Sequence, residues 1–268
     1  MNPYASENKN PVSFKNTDPT GNCPLLLLHG FCEDHSLWDR FSAQYPEINL
    51  ITPDLPGFGC SPHSTLSTIP DIADAIIDLL NNLNVNNFAV AGHSMGGYVA
   101  LQIAAVIPDR IKGLGLLHSH PYADSPTRKA IRDKAIDLLI AGKKELYLNQ
   151  LFHGLFHPDY LANNESVLKQ LIEKASLNNS SGIIQAIQAM RDRMDQQQVL
   201  VEAKFPVLFL LGKQDPLLPL TEQLPILSLP KITCLTLLDR VAHMGMFENS
   251  ERFNQSLHDF YQLALTYN

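Results

Sequence analysis

Cysteine is scarce in this chain. The 4 present, Cys23, Cys32, Cys60 and Cys234, are scattered and form no C-x-x-C pair. That spacing argues against a disulfide framework and a structural zinc site, and implies reduced thiols in a cytoplasm. Long apolar runs are missing too. Stretches such as Pro24–Leu28 and Pro206–Leu211 fall far short of the roughly 20 residues a membrane span needs. The opening segment MNPYASENKNPVSF is polar and has no apolar centre of a secretory leader. Blocks of like charge are also absent. With 20 basic and 27 acidic residues the net charge is −7, spread over both halves. Nucleic acid and anionic membrane are therefore not expected as main partners, and the acidic surplus serves solubility. A soluble cytoplasmic protein is expected. Its oligomeric state is not encoded in any pattern here.

What is present begins with length. At 268 residues and 45% hydrophobic, the chain can bury a full core, as one large domain or as a domain carrying an insertion. Short apolar runs recur: Cys23–Gly30, Asn49–Gly57, Asn87–Ser94, Ile111–Ser119, Pro206–Asp215 and Ile232–His243. Their hydrophobicity is continuous, as strands covered on both faces require. Helix-like stretches separate them, at His35–Tyr45, Ile69–Leu83, Met95–Ile107 and Glu248–Leu265. This alternation predicts an α/β protein with a doubly wound, mostly parallel sheet. From about Pro121 to Ala203 apolar residues recur at three and four with charges between, and no strand pattern interrupts them. Some 80 residues without a strand is long for one crossover. The expected organisation is therefore a core from 1–120 and 204–268, with a helical cap inserted over 121–203.

The chemistry centres on AVAGHSMGGYVAL (Ala89–Leu101), where polar and glycine residues interrupt an apolar segment. If Ala89–Gly92 ends a strand and Met95 opens a helix, Ser94 sits on a tight turn with its hydroxyl raised above the sheet edge. Gly92 and Gly96 leave it room, and Gly97 allows close packing of the helix. Free N–H groups at the helix start suit a developing negative charge. Alone, G-x-S-x-G arises by chance in roughly one chain in ten of this length. A serine hydroxyl also needs a base, and the base an orienting carboxylate. In open α/β sheets these belong at later strand ends. Asp215 follows VLFLLGKQ and His243 follows TCLTLLDRVA, giving the order Ser94, Asp215, His243. Asp239 is a rival acid, four residues before His243. The Phe31 amide, after the His29-Gly30 strand end, would pair with that of Met95 as an oxyanion hole.

These residues resemble the α/β-hydrolase superfamily. The likeness is carried by HGF (His29–Phe31), DLPGFGCS (Asp54–Ser61), GHSMGG (Gly92–Gly97), GKQDPLLP (Gly212–Pro219) and AHMGMFE (Ala242–Glu248), all in family order. It implies Ser94 as nucleophile, His243 as general base and then acid, Asp215 as the group orienting His243, and a helical cap. It departs at the N-terminal segment NPVSFKNTDPTGN, where family members open with a clear hairpin. An aspartate nucleophile, as in haloalkane dehalogenases, is ruled out by the serine.

Other residues receive plainer readings. His93 faces away from substrate and is structural, His29 braces the oxyanion loop, and Asp54 with Gly57–Gly59 shapes a turn. His118 with His120, and His153 with His157, lack a third ligand at recognisable spacing, so no metal is expected. His120, Phe152 and Phe156 are candidates to line the substrate pocket, along with Leu151 and Tyr160. Cys32, with no base beside it, reads as a small buried residue. The expected function is a cofactor-free serine hydrolase acting on a small-molecule carboxylic ester or related acyl compound. The same triad serves C–C bond hydrolases, lactonases and perhydrolases. A non-catalytic small-molecule receptor of this fold would be expected to lack a triad residue or hole glycine.

Overall fold

The computed structural model describes residues 12–17, 23–61 and 66–267. The first 11 residues, read above for the absence of a leader, lie outside that set. A short strand that no apolar run foretold, β1 (Phe14–Asn16), comes first, and each of the six apolar runs then becomes a strand trimmed by its turn residues: β2 (Leu25–Leu28), β3 (Leu50–Pro53), β4 (Phe88–His93), β5 (Ile111–Leu117), β6 (Val207–Gly212) and β7 (Thr233–Leu238). Among the described residues they form one seven-stranded sheet in the order β1-β3-β2-β4-β5-β6-β7. Among the described residues only β1 is antiparallel, pairing Phe14 with Pro53 at one edge of the sheet. The central strands carry leucine, alanine and valine with every residue of β2, β3, β4 and β6 buried, as two-sided cover demands. β7 departs from that pattern. It is the sheet edge, and Leu235 and Leu237 of its TCLTLL run face solvent.

Helices cover the sheet. In chain order they are α1 (Asp39–Gln44), α2 (Ile69–Asn82), α3 (Met95–Val106), α4 (Pro126–Ile140), α5 (Lys144–Leu155), α6 (Pro158–Leu161), α7 (Glu165–Ser176), α8 (Ser180–Asp192), α9 (Gln197–Glu202), α10 (Leu220–Gln223), α11 (Gly245–Glu248) and α12 (Ser250–Thr266). Thr68 starts α2 by accepting from the Asp71 amide at 3.2 Å, and Ser125 starts α4 by accepting from the Arg128 amide at 3.3 Å. The C-terminal helix expected over Glu248–Leu265 is α12, which Asn249 opens by accepting from the Arg252 amide; the short α11 precedes it. Six helices, α4 to α9, fill the interval between β5 and β6.

The order places β3 and β4 on opposite sides of β2, so the chain reverses its winding there. Ligands of open α/β sheets bind at such a switch point, beyond the carboxyl ends of the strands. Register brings those ends level: Leu28 lies beside Gly92, His93 beside Leu117, and Gly212 beside Leu238. Residues just past them, Gly30, Ser94, His118 and Asp215, therefore emerge along one edge.

Candidate active site

Ser94 joins β4 to α3 with φ 49° and ψ −113°, a left-handed conformation that costs a non-glycine residue on the order of 1–3 kcal/mol. Three hydrogen bonds fix it. Its N–H donates to Leu117 O at 3.0 Å, while its carbonyl accepts from the Gly97 amide at 2.9 Å and from Ser119 Oγ at 2.8 Å. The flanking glycines are needed for close approach. A Cβ on Gly92 would run into the Gly96 backbone, and one on Gly96 into the carbonyl of Leu28. The sequence thus builds the turn with small residues on both sides and a hydrogen-bonded cradle beneath.

His243 lies on the loop after β7 and is 2% exposed. Its Nδ1 is 2.7 Å from Asp215 Oδ2, and its Nε2 is buried with no hydrogen-bond partner. Its backbone is held on both sides: the N–H donates to Leu155 O at 2.9 Å, and the carbonyl accepts from His93 Nε2 at 3.0 Å. Asp215, on the loop after β6, uses Oδ1 to accept from the amides of Leu217 and Leu218 at 2.9 and 3.2 Å. Burial works against its charge, but His243 and His118 outweigh burial and hold its carboxyl far below the usual range. The rival Asp239 is on the surface, 3.3 Å from Lys213 Nζ and away from His243.

The sequence missed the second ring on Asp215. His118 Nδ1 lies 3.3 Å from the same Oδ2, and burial lowers its pKa to about 4 despite that carboxylate. Both rings must present N–H to a carboxylate oxygen, so both carry the Nδ1 proton. Ligand atoms of His118, Asp215 and His243 lie within 4.8 Å of one another, close enough in principle to clasp an ion. Here they spend those atoms on each other. A signal existed, since His118 follows β5 as Ser94 follows β4.

On the opposite wall, the His29 ring accepts from the Leu55 amide at Nε2 (2.8 Å), which leaves Nδ1–H to donate to Gly30 O (2.8 Å). His93 makes a longer bridge. Its Nδ1 faces Glu33 Oε2 at 2.9 Å while Nε2 faces the His243 carbonyl, and Glu33 also accepts from the Gly30 amide. Two acceptors on one ring require both nitrogens to donate, so His93 is an imidazolium. Burial opposes that charge, yet the Glu33 carboxylate and the His243 carbonyl raise its pKa. The Glu33–His93 ion pair links the Gly30 turn, the Ser94 turn and the His243 loop. Phe31 follows Gly30, and Met95 opens α3; neither amide has an acceptor among the described residues. Asp54 ties the neighbouring turn, accepting from the His35 and Cys60 amides. Cys32 is buried, and burial pushes its thiol pKa well up.

Ser94 and His243 open into a cavity of about 350 Å³, lined also by Phe31, Tyr98, Tyr147 and the helices α4, α5 and α8. Of the pocket residues expected from sequence, His120, Phe152, Phe156 and Tyr160 do not line it. His120 is buried to one side, accepting from the Tyr122 amide, and borders a separate depression with Pro70 and Gln102. Phe152 is wholly buried in the core, and Phe156 stacks on Tyr160. Leu151 does line it, together with Arg128, Arg132, Leu155 and Met190, which the sequence did not single out. His153 bonds back to Asn149 O, and His157 starts α6 by accepting from the Asp159 amide. No helix among the described residues is long and apolar enough to cross a membrane.

Fold and strand-end loops together define an α/β enzyme of the hydrolase kind, with its candidate site at the switch point. The model of the family described as alpha/beta hydrolase fold matches residues 24–250, and the chain belongs to that family. It is similar to a thermophilic esterase from Thermogutta terrifontis, with 26% identity, a TM-score of 0.89, and cover of 96% of this chain and 95% of that one. It is 28% identical over 248 residues to Lipase 3 of a Moraxella species, spanning 88% of this chain and 76% of that protein. A 2-succinyl-6-hydroxy-2,4-cyclohexadiene-1-carboxylate synthase of an Enterobacter species is 27% identical over 194 residues, which is 71% of this chain and 75% of that protein.

Proposed function

We propose that the chain hydrolyses a carboxylic ester through Ser94, His243 and Asp215, by way of an acyl-enzyme. The observation that carries this reading is the bare Nε2 of His243, on a ring fixed by Asp215 at 2.7 Å, lining one cavity with Ser94. Nε2 takes the proton of Ser94 Oγ as that oxygen attacks the ester carbonyl carbon, and the electron pair moves onto the carbonyl oxygen. The amides of Phe31 and Met95 donate to the oxyanion; losing one such donor typically slows turnover roughly 10²- to 10³-fold. Collapse breaks the bond to the alcohol oxygen, which leaves with the proton from Nε2. Water then gives a proton to Nε2, attacks the acyl carbon, and releases the acid and free Ser94. Asp215, kept ionised, stabilises the imidazolium that forms in each half.

Supporting the ester are the esterase and lipase names among similar proteins. A cavity of about 350 Å³ lies at the lower end of ligand-site sizes and favours a compact substrate. The helices of 121–203 act as its cap, and the four free cysteines fit a cytoplasmic location. Ser94→Ala is expected to abolish hydrolysis of short p-nitrophenyl esters with an unchanged circular dichroism spectrum. A fluorophosphonate should label the native chain at Ser94. Turnover that persists in the alanine variant removes Ser94 from the reaction.

A further inference from the structure

The cavity wall formed by the helices is apolar except for Tyr147 and one face of α4. Arg128, Ile131, Arg132 and Ala135 all line the cavity, as residues spaced by three and four on one helix face should. The two arginines are anchored differently. Arg128 donates to Leu217 O at 2.6 Å and lies 3.5 Å from Glu222, so its charge is answered at the rim. Arg132 uses only Nε, which donates to Asp124 Oδ2; its terminal amino groups have no acceptor among the described residues.

Asp124 does not neutralise that guanidinium by itself. Its side chain is fully buried, and its other oxygen takes Arg193 Nη1 at 2.7 Å. Two guanidiniums therefore share one carboxylate, and a positive charge is left over beside the cavity. His120 supplies no extra charge: burial, then Arg193, Arg128 and Arg132, hold it neutral. Glu33 also lines the cavity, but its carboxylate is taken by His93 and the Gly30 amide. Tyr98 and Tyr147 complete the polar lining, and neither hydroxyl has a protein partner among the described residues. Burial keeps the Tyr147 phenol protonated, hence a donor.

We propose that Arg132, which lines the cavity and whose two terminal amino groups have no acceptor among the described residues, binds a carboxylate of the substrate, so that the preferred substrates are acidic esters. A guanidinium held at Nε presents two parallel donors, which match the two oxygens of a carboxylate. The inference rests on the esterase reading and names the substrate class of that same site.

The test compares kcat/KM of the native chain on ethyl hydrogen glutarate, diethyl glutarate, ethyl pentanoate and butyryl glycolate, by pH-stat. A charge-assisted pair of this kind is worth roughly 10- to 100-fold. An acidic ester should exceed the neutral ones by that factor, and whether glutarate or glycolate is preferred tells which side of the scissile bond carries the acid. In Arg132→Gln the acidic-to-neutral ratio should fall at least tenfold, through KM. Arg132→Lys, which keeps the charge without the fork, should recover part of it. Neutral esters turned over as fast as acidic ones by the native chain would overturn the proposal, as would an unchanged ratio in a folded glutamine variant. Should no ester be hydrolysed, the esterase reading fails by itself. Calorimetry with glutarate then decides the anion site: binding lost in Arg132→Gln supports it, and no binding to the native chain overturns it.

Discussion

One oxygen of Asp215 serves two imidazoles, His243 at 2.7 Å and His118 at 3.3 Å, while the other takes two backbone amides. Four donors on a buried carboxylate leave it ionised and unable to turn, which fixes the tautomer and direction of the His243 ring. Removing the charge while keeping the shape separates these effects. Asp215→Asn should lower kcat on a short ester by about 10⁴-fold, since the amide cannot hold the Nδ1–H tautomer. Asp239→Asn, in a solvent-exposed pair with Lys213, should change kcat less than about twofold. Steady-state kinetics on the two variants checks both, and a reversed order would assign the acid to Asp239.

Helix and strand junctions explain what the sequence could reveal. The places of Ser94, Asp215 and His243 are legible because each lies within a few residues of the end of a strand-like run, so a local pattern fixes its place at the sheet edge. The cavity wall is not, because it depends on how a helix is rolled. On α5, Tyr147, Leu151 and Leu155 face the cavity at intervals of four, while Leu148 and Phe152 pack wholly into the core. Two apolar stripes one residue apart read alike in sequence, and the choice of Phe152 took the wrong one. Glu33 was missed for a related reason, since its partner His93 is 60 residues away. At the elbow, local geometry gives a sharp expectation. Gly96→Ala puts a methyl against the Leu28 carbonyl, so backbone must move; a loss on the order of 2–3 kcal/mol is expected, read as a lower denaturant midpoint. Ser125→Ala, which removes only the α4 cap, should cost about 1 kcal/mol in the same titration.

Across the whole molecule, the buried Glu33–His93 pair makes stability depend on pH in a definite sense. His93 is raised above the ordinary value of about 6.5, so its contribution is complete below that pH and is lost as pH rises through the folded value. Glu33, although burial opposes its charge, is lowered from 4.5 mainly by His93, and its share is lost only in stronger acid. The stability difference between the native chain and Glu33→Gln should therefore be largest between about pH 4.5 and 6.5, and shrink in alkali. Urea titrations at several pH values would show this, and a difference that grew with pH would contradict the pairing. The tethers of His243 have a wider consequence. Its amide is bonded to the last residue of α5, its carbonyl to the residue before Ser94. Any movement of that end of α5 must therefore break the Leu155 bond or carry the His243 loop with it, so the cavity wall and the ring beside Ser94 are mechanically coupled.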